Sequence, residues 1–321
     1  MVTQPVIHGE GPHWDVRKQV LYFIDTTGKS AHKYDPQTGQ TKILISFPKN
    51  SYFIEKIGQR SLDEFVAGVG RDLVLVQWDG NSTQSRSTVL DSVEPDKPGN
   101  RFNDGKADAK GRLWIGKTIS IFTLNFEHST HEKIHFSPVY GCTYFTGLIP
   151  SMQRMKHVTG ITTSNGIAWS RDNRHMYYID TGTSRIDVFD YDIATGRISN
   201  RRPVFDLKAN NVPGYPDGMT IDTEGYLWVA CYLDGRLKLS IHLPVEKVTS
   251  VMFGGANLDI LYVTTSRRDL SPAQLTLQPM AGSVLAVTRL GSKGWPANSA
   301  VLCNKYYEQG SNPSLTNTQS Y

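Results

Sequence analysis

Four oxygen-bearing residues recur in one phase along the chain. Glu10 lies in "GEGPHWD", Asn103 in "FNDG", Asn165 in "SNGIAW" and Asp217 in "YPDGMTID". Each stands ten or eleven residues ahead of an aliphatic anchor, respectively Leu21, Leu113, Met176 and Leu227. Two carboxylates and two amides, with no sulfur or imidazole among them, suit a hard cation such as Ca²⁺, Mg²⁺ or Mn²⁺ better than a structural zinc. Glu10 and Asp217 would together balance a divalent charge. Such an ion polarises a carbonyl or phosphoryl oxygen and acidifies its bound water, which implies hydrolysis of an activated ester-like bond. Taken singly, Asn-Gly, Asp-Gly and Glu-Gly are ordinary turn dipeptides. The shared phase is what favours a site.

The anchors sit in a recurring short element: a turn with Asp, Asn or Gly, then an aliphatic residue, an aromatic and one or two β-formers. Examples are "VLYFID", "EFVAG", "RLWIG", "HMYYID", "YLWVA" and "ILYVTT", several of them followed by a second strand such as "SAHKYD" or "RIDVFDYD". Such runs read as β-strands. Leu21, Phe65, Leu113, Met176, Leu227 and Leu261 are spaced by 44, 48, 63, 51 and 34 residues. A repeat of roughly 40–50 residues built from strands marks an all-β propeller, here with six blades and the C-terminal "GSVLAVTRLG" closing the ring. Equivalent positions of successive blades surround one channel, so the four polar residues should face one another there. Residues 1–304 read as a single domain, since one blade cannot bury its faces alone. The longest interval implies an insertion at about 120–140, and the shortest is too short for four strands, leaving one blade short of a hairpin near 239–241. The polar, aperiodic stretch 305–321 reads as a disordered tail.

The totals exclude several function classes. In 321 residues the net charge is only +4, with Lys and Arg scattered, so neither nucleic acid nor an acidic membrane is the expected partner. Three distant cysteines make a poor disulfide framework, and no secretory leader pattern or run of ~20 apolar residues is present. A cytoplasmic protein is the expectation. "HEKIH" (His131 to His135) has the zinc-protease spacing but no helix around it, and reads as a loop. Lys106 and Lys117 read as surface lysines near a channel, Trp14, Trp114, Trp169 and Trp228 as core, and Cys231 as a small core residue.

At "GEGPHWD", "NRFNDGKAD", "SNGIAWS", "GYPDGMTID" and "FGGANLDILYVT" the chain resembles the regucalcin (senescence marker protein)/gluconolactonase family. The likeness runs from about Gly9 to Gly294 and is strongest to the insect regucalcin-like branch, which includes anterior fat body protein and luciferin-regenerating enzyme. The resemblance implies a six-bladed propeller with a central divalent metal (Ca²⁺, Mn²⁺, Mg²⁺ or Zn²⁺) and a small-molecule sugar lactone as substrate. It implies Glu10, Asn165 and Asp217 as metal ligands, Asp217 also as the catalytic proton donor and acceptor, and Arg101 and Asn103 as substrate-binding residues. The alternative is a non-enzymatic calcium-binding regulatory propeller. The chain departs from the family pattern at "GKTIS" (Gly116 to Ser120), and Ile121 stands where vertebrate members carry an acidic substrate contact.

Overall fold

The computed structural model describes residues 1–58, 64–78, 85–93, 100–117, 120–125, 153–233, 236–237 and 241–301. They form an all-β propeller of antiparallel sheets in chain order, with one short helix, α1 (Pro272–Leu277). The first sheet runs β1 (Gly9–Asp15), β2 (Val20–Asp25), β3 (Ser30–Asp35) and β4 (Gln40–Ser46). The second holds β5 (Ser51–Lys56), β6 (Glu64–Val69), β7 (Asp72–Trp78) and β8 (Ser85–Ser92). In the third are β9 (Phe102–Ala107), β10 (Leu113–Lys117), β11 (Ser120–Asn125) and β12 (Gln153–Thr159). The fourth contains β13 (Ser164–Trp169), β14 (His175–Asp180), β15 (Arg185–Asp192) and β16 (Arg197–Asp206). The fifth has β17 (Tyr215–Ile221), β18 (Leu227–Tyr232), β19 (Arg236–Leu237) and β20 (Ile241–His242). The sixth comprises β21 (Val248–Gly254), β22 (Ile260–Thr265) and β23 (Leu285–Val287). Each sequence anchor falls on the second strand of its sheet.

The core fills the wedges between neighbouring sheets. Tyr22 and Ile24 of the first sheet pack with Phe65 and Val74 of the second, and Trp114 of the third packs with Ile167, Met176 and Tyr191 of the fourth. Trp14, Trp114, Trp169 and Trp228 are all buried, as their recurrence with the strands suggested, and so is Cys231. One device explains the turn "DAKGR". The Asp108 carboxylate accepts the backbone N–H groups of Lys110 and Arg112 at 2.8 and 3.1 Å, and the Trp114 indole N–H at 3.0 Å. Asp222 repeats this in the fifth sheet, accepting from Glu224, Tyr226 and the Trp228 indole. The same carboxylate thus shapes the turn and anchors the core indole two positions beyond it.

Three expectations change. The shortest interval holds four strands after all, because β19 and β20 are cut to two residues each. The expected insertion begins with a regular strand, β11, paired to β10 from Leu113↔Leu124 to Gly116↔Ile121. Ring closure is shared with the N-terminal segment, where Val2 N–H donates to Val284 O, Val6 N–H to Gly282 O, and Val284 N–H to the Thr3 hydroxyl. Here it runs along the segment that leads into β23, supplying a neighbour that "GSVLAVTRLG" alone lacks. The rest of the expected insertion, with "HEKIH", and the tail 305–321 lie outside the described residues. Among the described residues no helix is long and apolar enough to cross a membrane.

Candidate functional site

The innermost strand of every sheet slips register against its neighbour at one place. The slips fall between Glu10 and His13, Ser51 and Phe53, Phe102 and Gly105, Ser164 and Ile167, Pro216 and Met219, and Val248 and Ser250. A β-bulge bends its strand and re-aims the side chain it carries. Asn103, Asn165 and Asp217 lie within their slips and Glu10 at the edge of its own. The Asn-Gly and Asp-Gly pairs are therefore bulges of inner strands, and the plain-turn reading falls. Their glycines are needed because adjacent inner strands nearly touch. A Cβ on Gly166 would come 2.5 Å from Met219 Cβ, and one on Gly218 2.0 Å from the Ser250 hydroxyl.

A hydrogen-bonded chain links the third, fourth and fifth sheets around the channel. The Arg101 guanidinium stacks 4.3 Å over Tyr52 and donates to Asn103 Oδ1 at 2.6 Å. Asn103 Nδ2 donates to Asn165 Oδ1 at 2.6 Å and to Ser164 O at 2.7 Å. Asn165 Nδ2 donates to Thr181 Oγ1, whose hydroxyl in turn donates to Pro216 O, the residue before Asp217. Glu10, Arg101 and Asn103 line one cavity of about 180 Å³ together with Asp104, Tyr52 and His8. Asn165 joins it through Asn103, and Asp217 lies close enough for its charge to act on Glu10.

Electrostatically the site is crowded with negative charge. Burial, then the Asp217 and Asp104 carboxylates, push the Glu10 carboxyl well above its usual range. Burial and then Asp104 do the same to Asp217, with Arg101 opposing. Asp104 itself is pushed up to about 6, mainly by burial. His8, 3.8 Å from Glu10 Oε1, is held down to about 4 by burial and then by the Arg268 charge, so its imidazole is neutral at pH 7. Among the described residues no trio of His, Cys, Asp and Glu forms a compact metal cluster, and the donor set here relies on amide oxygens as well. All its donors are nonetheless oxygens, and its unbalanced carboxylates fit a hard divalent cation.

Asp104, His8, Tyr52, Thr181 and Arg268 escaped the sequence reading. Asp104 was visible in "FNDG", where a second oxygen donor follows Asn103 directly. Arg268 sits in the irregular stretch before α1 and has no periodic signal. Lys106 and Lys117, expected on the surface, are drawn inward. Lys117 is 5% exposed, and Lys106 donates to the carbonyls of Ile167 and Met219 at 3.2 and 3.1 Å.

A family model described as SMP-30/Gluconolactonase/LRE-like region matches residues 8–267. Regucalcin of Oryctolagus cuniculus is 37% identical over 302 residues, covering 91% of this chain and 94% of that protein. The structure of a luciferin-regenerating enzyme aligns with a TM-score of 0.80 at 35% identity, covering 94% of this chain and 97% of the other. A calcium-binding protein, regucalcin, from Agrobacterium tumefaciens aligns with a TM-score of 0.76 at 22% identity, covering 94% and 95%, a likeness of fold.

Proposed function

Since the chain belongs to the SMP-30/gluconolactonase/LRE-like family, we propose that it is a divalent-metal-dependent hydrolase of sugar lactones. The observation that carries this reading is the set of mutually repelling carboxylates Glu10, Asp104 and Asp217, gathered with amide oxygens at the inner-strand bulges. In this reading the six sheets are six blades around one channel, and Glu10, Asn165 and Asp217 hold the cation, whether Ca²⁺, Mn²⁺, Mg²⁺ or Zn²⁺. When bound, the ion supplies carbonyl polarisation and a more acidic water.

The chain's own residues do the rest. Asp217 takes the proton of the attacking water and returns it to the ring oxygen as the lactone C–O bond breaks, leaving the hydroxy acid. Arg101 is pre-oriented by Tyr52 and by its bond to Asn103, and the two hold substrate hydroxyls and the ring oxygen at the cavity wall. A cavity of about 180 Å³ is smaller than the pockets that take drug-sized ligands, which supports a small single-ring substrate.

The test is hydrolysis of gluconolactone by chelator-stripped protein with single ions added back. Metal-restored turnover should fall by about 10²–10⁴-fold in Asp217→Asn, the range for losing a general acid–base group. A folded protein that turns over no lactone with any ion overturns the reading. One observation favours a second reading, a non-enzymatic calcium-binding propeller: the residue of β11 paired with Gly116 is Ile121, not an acidic residue. In that case Ca²⁺ binding survives in the absence of any turnover.

A further inference from the structure

Lys106 has no part in the chemistry above, yet it bridges the inner strands that carry the site. It follows Asn103 by three residues on β9, and its ammonium donates to Ile167 O of β13 and Met219 O of β17. Those carbonyls stand two residues beyond Asn165 and Asp217 respectively. One side chain thus ties together the three inner strands that carry Asn103, Asn165 and Asp217. Burial pulls the Lys106 ammonium below its usual range, and the carboxylates of Glu55 and then Asp104, which face it, oppose that by favouring its charged form. A cavity of about 30 Å³ beside it, lined by Glu55, Asp104, Gly105, Ile167 and Met219, has room for a water or an ion.

We infer that Lys106 is a resident cation, occupying an oxygen-lined position beside the proposed metal site and so limiting the channel to one divalent ion. Two peptide carbonyls and two carboxylates are the donor types that hard cations take. With Lys106 neutralised, the Glu55 and Asp104 carboxylates have lost their counter-charge, and the vacated space lies among oxygens. Lys106 therefore acts as a positioning residue: it holds the site-bearing strands and keeps a second ion out. The inference rests on the metal-site reading above.

The experiment counts bound Ca²⁺ per chain by equilibrium dialysis and atomic emission for the wild type, Lys106→Met and Lys106→Arg. The wild-type count tests the metal-site reading, and the increment on substitution tests Lys106, so the two can fail separately. Lys106→Met should bind one Ca²⁺ more than the wild type, whereas Lys106→Arg, which keeps the charge, should match it. An unchanged count in folded Lys106→Met, or a gain in Lys106→Arg, overturns the inference. Should Lys106→Met fail to fold, Lys106→Gln is measured in its place with the same two outcomes. Its amide can still donate to a carbonyl without carrying charge.

Discussion

In the proposed metal site, protons and the cation would compete for the same oxygens of Glu10, Asp104 and Asp217. A carboxyl whose folded pKa is raised contributes stability that is complete below its unfolded value of roughly 4 and is lost as pH climbs through the folded value. For Asp104 that loss runs from roughly 4 up to about 6. His8 and His157, both held down to about 4 mainly by burial, work the other way. They lose stability as pH falls from roughly 6.5. Total stability therefore mixes opposing slopes, and the informative quantity is the rise in Tm on adding Ca²⁺. That rise should be near zero at about pH 5, where protons hold the carboxylates, and several degrees at about pH 7.5. It should shrink in Asp217→Asn. Melting curves with equal Ca²⁺ shifts at both pH values would remove these carboxylates from the metal site.

At the scale of the element, the inner-strand bulge and the Asp-led turn divide the labour. The bulge aims a side chain at the axis, and the turn at the strand's other end pins the indole that fills the wedge. Asp108 does more than Asp222, because it also accepts from Tyr191 OH at 2.7 Å and pairs with Arg112 at 3.0 Å. Asp108→Asn keeps the shape but turns one acceptor oxygen into a donor facing other donors. Asp108→Asn and Asp222→Asn should each cost about 2–3 kcal/mol, with Asp108→Asn the larger, since bonds to a charged group are at stake. The two carboxylates lie in different sheets and share no partner, so the double variant should be additive to about 0.5 kcal/mol. Denaturation midpoints for the two singles and the double would check this, and a large coupling energy would show that the turns are not independent units.

At the scale of the molecule, the segment 293–301 works as a strap across the channel end opposite the site. Lys293 O accepts from Thr223 N, Gly294 N donates to Leu258 O, Ala300 N donates to Lys56 O, and Val301 N donates to Gly111 O. Trp295 lies under the Arg171 guanidinium at 4.1 Å, and Ala297 packs on the cluster containing Trp14. The strap reaches every sheet and roofs a cavity of about 300 Å³ into which Lys106 and Glu55 face. Ending the chain after residue 292 removes these bonds together with the buried Ala300. The truncated protein should melt at least about 5 °C lower, given roughly 1 kcal/mol for each lost bond. An unchanged Tm would mean that the strap only covers the channel.

Strand identity and phase were legible in the chain because both are local. An aliphatic–aromatic pair behind an Asp- or Gly-containing turn specifies a short buried strand, and a constant offset of ten or eleven residues places Glu10, Asn103, Asn165 and Asp217 on inner strands. The family motifs coincide with these strands and with the turns that follow them. What the tertiary structure decided is everything that depends on neighbouring sheets. The bulges turn apparent Asn-Gly and Asp-Gly turns into inward-facing positions. The meeting of Asp104 with Glu10 and Asp217 spans residues far apart in sequence, and so does the stacking of Arg101 on Tyr52. The burial of Lys106 against two carbonyls from other strands, and the closure of the ring by the N-terminal segment, have no periodic signal at all. Each is a contact between elements whose separation along the chain carries no information about their separation in space.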